Sequence, residues 1–194
     1  MKYWWVNQGH TYAHEVGQDF MWSPLTNIKG NTVNAYENMR LLEPGDLVFS
    51  HSKNLLRATG IVQSKAFIGP QPDFEGTGSS NWADTGWHCN VVFTELVTPL
   101  DYSLYLDQIK PLLPDKHSPL DKNGKAVFAY LFELSDELGA LLSKLTNLNL
   151  TEVLIRQAQA ITEFEDELDD EAEREIVQKE SIGPLEKQNL VKSR

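Results

Sequence analysis

The sequence contains a single cysteine, Cys89, among its 194 residues. This excludes an intramolecular disulfide, and one free thiol is typical of a protein in a reducing compartment. No apolar run approaches the ~18–20 residues of a membrane-spanning helix. The first residues lack the apolar core and the small-residue cleavage site of a signal peptide. We therefore expect a cytoplasmic protein that does not bind a membrane.

Residues that usually carry catalysis are few and poorly spaced. His10 and His14 are four residues apart, but neither a helix start nor the acidic residue of a zinc motif accompanies them. His88 and Cys89 are adjacent on a predicted strand, so their side chains point to opposite faces and cannot act on one another. The glycines of residues 69–86 are not followed by a helix, as a phosphate-binding loop requires. We expect no catalytic residue, no metal site and no cofactor in this chain.

The charge is strongly negative overall but unevenly distributed. The net charge of −11 argues against nucleic acid, because contacts to phosphates supply most non-specific affinity. Residues 151–194 hold 12 acidic and 6 basic residues, whereas residues 22–65 hold 3 acidic and 5 basic ones. Local patches steer an anion more than the total charge does. The predicted phosphate contacts are Arg40, Lys53, Arg57 and Lys65.

Side-chain alternation and turn residues predict a chain of mixed strands and helices. A helix running to about Arg40 would be capped by Asn31 or Thr32, and another over 136–144 by Ser135. Lys53 and Asn54 are expected in a hairpin. Residues 8–19 and 69–86 are expected to be loops. Strands are predicted at 2–6, 47–51, 58–62 and 87–96, and within 124–134.

A long helix is predicted from about Thr151 to Lys179. The helix has one apolar stripe, and its remaining faces are acidic. We therefore expect it to be a spacer that lies outside the core of the domain. Its apolar stripe would pack on the back of the domain or on the same helix of a second chain, which would give a homodimer. The stripe recurs at three- and four-residue steps and consists of Leu150, Leu154, Ala158, Ile161, Phe164, Leu168, Ala172 and Ile176.

The chain has five tryptophans, and three of them, Trp22, Trp82 and Trp87, fall in or beside predicted loops. A single tryptophan in a loop usually closes the edge of a core. Three of them flanking one predicted sheet indicate instead a pocket with aromatic walls. Such walls stack on a flat ring and contribute ~1–3 kcal/mol per base.

Several segments, taken in order, resemble EVE domains of the PUA-like superfamily, which are relatives of the YTH readers of methylated adenine in RNA. The resemblance spans about residues 1–145. It implies a mixed α/β fold with a strongly curved, barrel-like sheet and short helices around it, and the predicted long helix would follow this domain. The segments are residues 2–7 (KYWWVN), 21–24 (MWSP), 38–40 (NMR), 44–49 (PGDLVF), 60–62 (GIV), 81–82 (NW) and 86–87 (GW).

The resemblance also implies a function. In YTH domains one wall of a base cage is a tryptophan followed by a small residue, and a downstream pair of tryptophans forms the rest. Here the chain is expected to flip a 5-methyl- or 5-hydroxymethylcytosine out of double-stranded DNA and hold it in such a cage. The cage would comprise Trp22, Trp82 and Trp87, and the polar edges of the base would be read by Asn7, Ser23, Ser50 and His51.

Residues 181–194 resemble the lead-in to the HNH nuclease domain of modification-dependent restriction endonucleases. The His, Asn and metal-binding residues of an HNH site are missing, so cleavage is not expected of this chain. A divalent metal is expected only for that absent nuclease. The resemblance implies a reader domain over residues 1–149 and a linker helix over 150–194. Together they would target a hydrolase of cellular defence to modified DNA.

Two other functions remain open from the sequence. The YTH kinship favours an RNA-binding PUA-like module, which a requirement for the 2′-hydroxyl would reveal. The acidic total charge favours a domain that binds a small molecule or another protein. Composition does not distinguish a modified cytosine from methyladenine.

Overall fold

The computed structural model describes residues 1–75 and 82–191, with side chains except at 150, 173 and 175–191. Several positions discussed above lie outside these residues: two glycines of the long loop (Gly76 and Gly78), Asn81, and the last three residues of the chain. The Leu150 and Ile176 side chains of the predicted apolar stripe also lie outside them.

Seven strands of the described residues form one curved, half-barrel sheet with helices around it, which confirms the expected fold class. The strands are β1 (Tyr3–Asn7), β2 (Phe20–Pro24), β3 (Leu47–Ser52), β4 (Leu55–Val62), β5 (Phe67–Pro70), β6 (Thr85–Leu100) and β7 (Leu131–Leu134). Their order is β2-β6-β4-β3-β1-β7, with β5 also paired to β6. β1 and β3 run parallel, and the other pairs are antiparallel.

The helices are short until the C-terminal region. They are α1 (Tyr12–Gly17), α2 (Asn34–Glu37), α3 (Leu106–Ile109), α4 (Asp136–Leu145) and α5 (Leu150–Val191). Single 3-10 turns lie at Asn38–Leu41, Tyr102–Tyr105 and Lys110–Leu112. Within the described part of the chain, no helix is both long and apolar enough to cross a membrane.

Local chemistry explains several of these boundaries. Lys53 and Asn54 both adopt positive φ, 53° and 61°, and join β3 to β4 as a two-residue hairpin loop. This geometry matches the right-handed twist of the strands, so the predicted hairpin is confirmed. The Ser135 hydroxyl accepts a hydrogen bond from the Leu138 amide at 3.2 Å, which confirms the predicted cap of α4.

Three expectations about local structure are wrong. Residues 8–19 are not a continuous loop, because α1 occupies half of them. The helix before Arg40 is capped by neither Asn31 nor Thr32, since α2 begins at Asn34 and Val33 precedes it. Part of the loop expected over 69–86 is strand, because β5 pairs with the start of β6.

Both faces of the central sheet are buried, which explains the adjacent tryptophans of β1. Trp5 packs on one face with Phe49, and Trp4 packs on the other with Val48. Helices α4 and α5 contribute to the Trp5 side, whereas Met39 and Leu42 contribute to the Trp4 side. Successive residues of a strand point to opposite faces, so a sheet covered on both sides buries both rings.

The first turns of α5 contribute to the core of the domain. Val153 and Ala160 are buried in the same cluster as Trp5, and Gln157 is buried between them. Ile161 packs over Gly45, where a glycine with φ of +87° leaves room for the helix to approach. The partner of the helix in this region is therefore the domain itself.

The packed face of α5 is also not the predicted stripe. Leu154 and Leu168 are exposed and Ile161 covers Gly45 with only part of its side chain, whereas Val153, Gln157 and Ala160, each one residue before a stripe position, are buried. One residue turns an α-helix by about 100°, so the apolar stripe lies beside the contact rather than within it.

Neighbouring positions on α5 allow a matched test of this packing. We expect Val153→Asp to lower the free energy of unfolding by roughly 2–4 kcal/mol, because it places a charge in the core. Leu154→Asp should change it by less than about 0.5 kcal/mol, because Leu154 is 59% exposed. Urea denaturation followed by circular dichroism measures both. Equal effects of the two substitutions would show that α5 does not pack on the domain in solution.

Candidate functional site

Strand pairing sorts the side chains of the β2-β6-β5 region onto two faces. Trp22 lies opposite His88, which in turn lies opposite Phe67. Directly paired residues point to the same side of a sheet, so these three side chains share one face. Ser23 lies opposite Trp87, and their side chains point to the other face. β2 and β5 pair with the same residues of β6 and therefore flank it on opposite edges.

The Trp22 face carries an aromatic cluster formed by Phe20, Trp22, Phe74 and Trp82. The rings of Trp22 and Trp82 are nearly parallel, with 5.9 Å between centroids and 13° between planes. Phe74 meets both rings edge-on, at 5.9 Å from Trp22 and 5.8 Å from Trp82. Phe20 lies 6.1 Å from Phe74. These are the offset-stacked and edge-to-face arrangements that aromatic rings prefer.

The two parallel rings are held very differently. Trp22 belongs to β2 and is 1% exposed, whereas Trp82 precedes β6 and is 39% exposed. The Trp22 ring lies directly over Gly86, where an added Cβ would come within 2.5 Å of the ring and 2.3 Å of the Ser23 carbonyl oxygen. Trp22 is therefore an enclosed, fixed wall.

Histidines border the aromatic cluster on two sides. His14 of α1 meets the Phe74 ring edge-on at 5.9 Å. His88 stacks on Phe20 at 5.1 Å and lies tilted against Phe67 at 5.0 Å. Burial lowers the pKa of His88, so its ring is kept neutral at neutral pH. A row of aromatic rings thus extends from β2 across β6 to β5.

The structure does not bring Trp87 to the aromatic cluster. It follows the alternation along β6 to the opposite face, where it packs against the core that contains Trp4. The Arg40 guanidinium lies over its ring at 5.6 Å. Trp22 and Trp87 cannot line one cage, because paired strands project them to opposite sides of the sheet.

Behind the Trp22 wall lies a buried carboxyl group, Glu15 of α1, which is 0% exposed. Its Oε2 accepts from the Tyr130 hydroxyl, from Gln8 Nε2 at 3.3 Å and from the Trp22 backbone amide at 3.3 Å. Its Oε1 is hydrogen-bonded to Thr11 Oγ1. Burial is the main cause that raises the pKa of Glu15 to about 7, although the hydrogen bonds oppose it.

The four polar residues expected to read a base edge are dispersed. Ser50 donates to Gln8 Oε1 and so extends the network around Glu15. The Ser23 hydroxyl is buried without a partner among the described residues, on the Trp87 face. Asn7 accepts from Trp5 Nε1 at 2.7 Å and donates to the carbonyls of residues 127 and 129, which occupies its amide.

His51 belongs to the core on the Trp5 side of the sheet. Its ring stacks on Trp5 at 5.3 Å and meets Tyr102 edge-on at 5.5 Å. Burial lowers the pKa of His51 to about 4, so it is neutral at physiological pH. The structure places it in a different cluster from Trp22.

The four predicted phosphate contacts differ in whether their charged groups already contact another side chain. Arg40 is paired with Glu37 at 3.1 Å, and Lys65 with Glu43 at 3.2 Å, both near the surface. Lys53 is exposed at the tip of the β3-β4 hairpin. The guanidinium of Arg57 on β4 lies over the ring of Tyr12 at 5.1 Å, beside the helix α1 that also carries His14 and Glu15.

Sequence reasoning missed Phe74, Glu15 and Tyr130. Phe74 carried a usable signal, because it is a lone aromatic in the polar run Gln71-Pro72-Asp73-Phe74-Glu75. Glu15 carried none, since α1 has no side-chain cap and only six residues. Among the described residues, no group of three or more His, Cys, Asp or Glu side chains could hold a metal ion.

No family model and no curated protein matches the sequence. Three solved structures illustrate what the chain is similar to. A protein from Pseudomonas putida is 12% identical, with a TM-score of 0.49 and coverage of 74% of this chain and 99% of that one. Human THYN1 in complex with 5-methylcytosine-containing DNA is 12% identical, with a TM-score of 0.49 and coverage of 75% and 98%.

The third is the Pho92 YTH domain in complex with m6A, at 12% identity, a TM-score of 0.46 and coverage of 76% and 87%. Likenesses at this level do not assign a function to this chain.

The buried Glu15 predicts how stability depends on pH. Its pKa of about 7 in the folded protein exceeds the ordinary value of 4.5, so the folded state binds more protons between these values. The free energy of unfolding should therefore fall as pH rises from 4.5 through 7, by about 3 kcal/mol. Glu15→Gln should remove this fall and be the more stable protein at pH 8.

Urea denaturation at several pH values between 4.5 and 8 measures the difference between the two proteins. Glu167→Gln on the exposed part of α5 serves as the control, and it should follow the wild type. Parallel curves for wild type and Glu15→Gln would show that Glu15 has no raised pKa.

Proposed function

We propose that this chain is an EVE-type reader that holds a flipped, modified base between Trp22 and Trp82. The observation that carries the proposal is the parallel pair of indole rings, one enclosed and fixed on a strand and the other half-exposed. Phe74 closes the end of the pair. An aromatic sandwich of this kind binds any flat ring, and its shape favours one that carries an added methyl group.

A base enters this pair only if the rings separate. Two aromatic contacts at ~3.5 Å each require about 7 Å between the walls, more than the 5.9 Å that separates the centroids of Trp22 and Trp82. Trp22 is held by β2-β6 pairing and by its contact with Gly86. Trp82 is therefore the wall that moves outward, and the base takes its place on the Trp22 ring.

The free-energy cost of flipping a base and the gain from stacking it in the pocket are of similar size. Flipping a base out of a duplex costs a few kcal/mol, and stacking on each aromatic wall returns ~1–3 kcal/mol. Burying one methyl group adds about 0.8 kcal/mol, or roughly a fourfold preference for the methylated base. The Trp22 indole N–H is buried without a partner among the described residues and could donate to a polar edge of the base.

The proposed ligand is a 5-methyl- or 5-hydroxymethylcytosine in double-stranded DNA. This choice rests on the resemblance of the sequence to EVE domains that are joined to nucleases. Arg40, Lys53, Arg57 and Lys65 are proposed to contact phosphates. Four such contacts correspond to a salt slope of at most about −3.6, and the ion pairs of Arg40 and Lys65 should make it shallower.

The proposal extends to the protein's cellular role through residues 181–194. Their likeness to the segment before an HNH nuclease supports a role in targeting that nuclease to modified DNA for defence. The chain itself would bind and not cleave. The four residues expected to read the polar edges of the base are proposed to support the pocket without contacting the base, because their polar groups serve the fold or face away from Trp22. They are Asn7, Ser23, Ser50 and His51.

We also propose that α5 mediates a homodimer beyond its contact with the domain. Leu154, Ile161 and Leu168 remain exposed in an otherwise acidic helix. We expect Leu168→Asp to weaken self-association in sedimentation equilibrium by at least roughly tenfold, because it places a charge in the paired stripe. Glu167→Gln is the control. A wild-type chain that remains monomeric at millimolar concentration would exclude the dimer.

A titration with labelled oligonucleotides tests the proposed function. Duplexes with one central cytosine, 5-methylcytosine or 5-hydroxymethylcytosine are compared with RNA that contains adenine or N6-methyladenine. We expect the modified DNA to bind most tightly. Preference for RNA would identify a reader of RNA, and no binding to any of these probes would show that the proposal is wrong.

Single substitutions then test the pocket. Trp82→Ala should weaken binding of the modified duplex roughly 5- to 100-fold, which corresponds to the loss of one stacking wall. Trp87→Phe, on the opposite face, should change it less than about twofold. Thermal denaturation checks that both variants are folded. Equal losses for the two variants would place the base elsewhere.

A further inference from the structure

We propose that Glu15 is the positioning residue of this pocket: its buried carboxyl group holds the backbone of Trp22 in place while Trp82 moves away. The inference rests on the proposed function, because it assigns a role to Glu15 in binding the base.

The geometry shows why Trp22 needs such support. Its amide hydrogen is shared between Glu15 Oε2 at 3.3 Å and the Tyr130 hydroxyl at 3.0 Å. The same Oε2 accepts from Tyr130, so the three groups form a closed triangle. When a base separates the two indoles, Trp22 loses its contact with Trp82. Its place then depends on β6, on Gly86 and on this triangle.

The carboxyl group also joins separate parts of the chain. Gln8 follows β1 and links Glu15 to Ser50 of β3. Tyr130 precedes β7 and Thr11 precedes α1. A single buried group therefore ties Trp22 to three other strands or their ends, which is the arrangement that keeps a binding wall rigid.

The hydrogen bonds fit a neutral carboxylic acid. Thr11 Oγ1 has one hydrogen, and the Gln8 carbonyl lies 2.6 Å from it. If Thr11 donates there, Glu15 Oε1 can donate its own proton to Thr11, and every group in the network is satisfied. Ionised Glu15 lacks that proton, so Thr11 must turn its hydrogen from the Gln8 carbonyl to the carboxylate.

A bound base should therefore prefer the neutral acid. Ionisation takes the Thr11 hydroxyl hydrogen from the Gln8 carbonyl and places a charge in a site closed to water, so the network that fixes Trp22 for the base is most stable with the neutral acid. Because the pKa of Glu15 lies at about 7, affinity should decrease as pH rises above neutrality.

The other groups that touch this network do not titrate in the same range. Burial raises the pKa of Tyr130 well above its ordinary value, and it raises the pKa of Cys89, which is close to Tyr130, to about 12. Gln8, Thr11 and Ser50 carry no charge. His14 and His88 border the aromatic cluster, and both are unchanged when Glu15 alone is replaced, so the comparison of the two proteins isolates Glu15.

The test measures the affinity of the full chain for the 5-methylcytosine duplex between pH 6 and pH 8.5. We expect the wild type to lose roughly threefold to tenfold affinity across this range, relative to Glu15→Gln. Glu15→Gln keeps a donor toward Thr11 and an acceptor toward Trp22, so it should match the wild type at pH 6. Glu15→Met lacks both and should bind at least roughly tenfold more weakly at every pH.

A second measurement does not involve the ligand. Hydrogen exchange of the Trp22 amide, followed by NMR, should become faster in the wild type above pH 7 than base-catalysed exchange explains, and not in Glu15→Gln. Superimposed pH profiles for the two proteins in both measurements would overturn the role of Glu15. If Glu15→Met does not fold, the comparison with Glu15→Gln decides alone. If no probe binds the wild type but the exchange differs, the proposed function fails and the positioning of Trp22 stands.

Discussion

The pairing of β6 with β2 is the constraint on which the rest of the site depends. Strand pairing places Gly86 beneath the Trp22 ring, and no other residue leaves space there, because an added Cβ would lie 2.5 Å from the indole. The same register sends Trp87 to the opposite face. A slip of β6 by one residue would bring Trp87 to the face that carries Trp22 and would remove Gly86 from beneath the Trp22 ring.

The sequence was informative where short-range rules decide the outcome. Lys53-Asn54 and Ser135 were identified because a hairpin loop and a helix cap depend on a few neighbouring residues. Which face a strand residue occupies depends on its partner strand, and this could not be deduced from alternation alone. For this reason the sequence groups Trp87 with Trp22. The spacing of apolar residues in α5 likewise does not show which side of the helix meets the domain, and the buried positions lie one residue before the predicted stripe.

Glu15 is a residue whose position could not be predicted from short-range rules. Buried carboxyl groups are rare, so an acidic residue in a polar stretch is expected at the surface. Its burial depends on Gln8, Thr11 and Tyr130, and Tyr130 is 115 residues away in the chain. Pairings of this length follow from the complete fold. Such polar groups are retained in a core where a fully satisfied network specifies one geometry.

The aromatic cluster must serve two states with the same residues. Without a ligand, Trp82 covers Trp22 and keeps a large apolar surface from water, so the pocket is closed by its own walls. That stack is worth ~0.5–1.5 kcal/mol, which a base must displace before it gains its own contacts. The cost is small because Trp82 is already half-exposed, and the fixed side of the pocket need not move. The contacts that keep the pocket rigid thus lie behind Trp22, at Glu15 and Gly86, and the movement on binding is confined to the Trp82 ring.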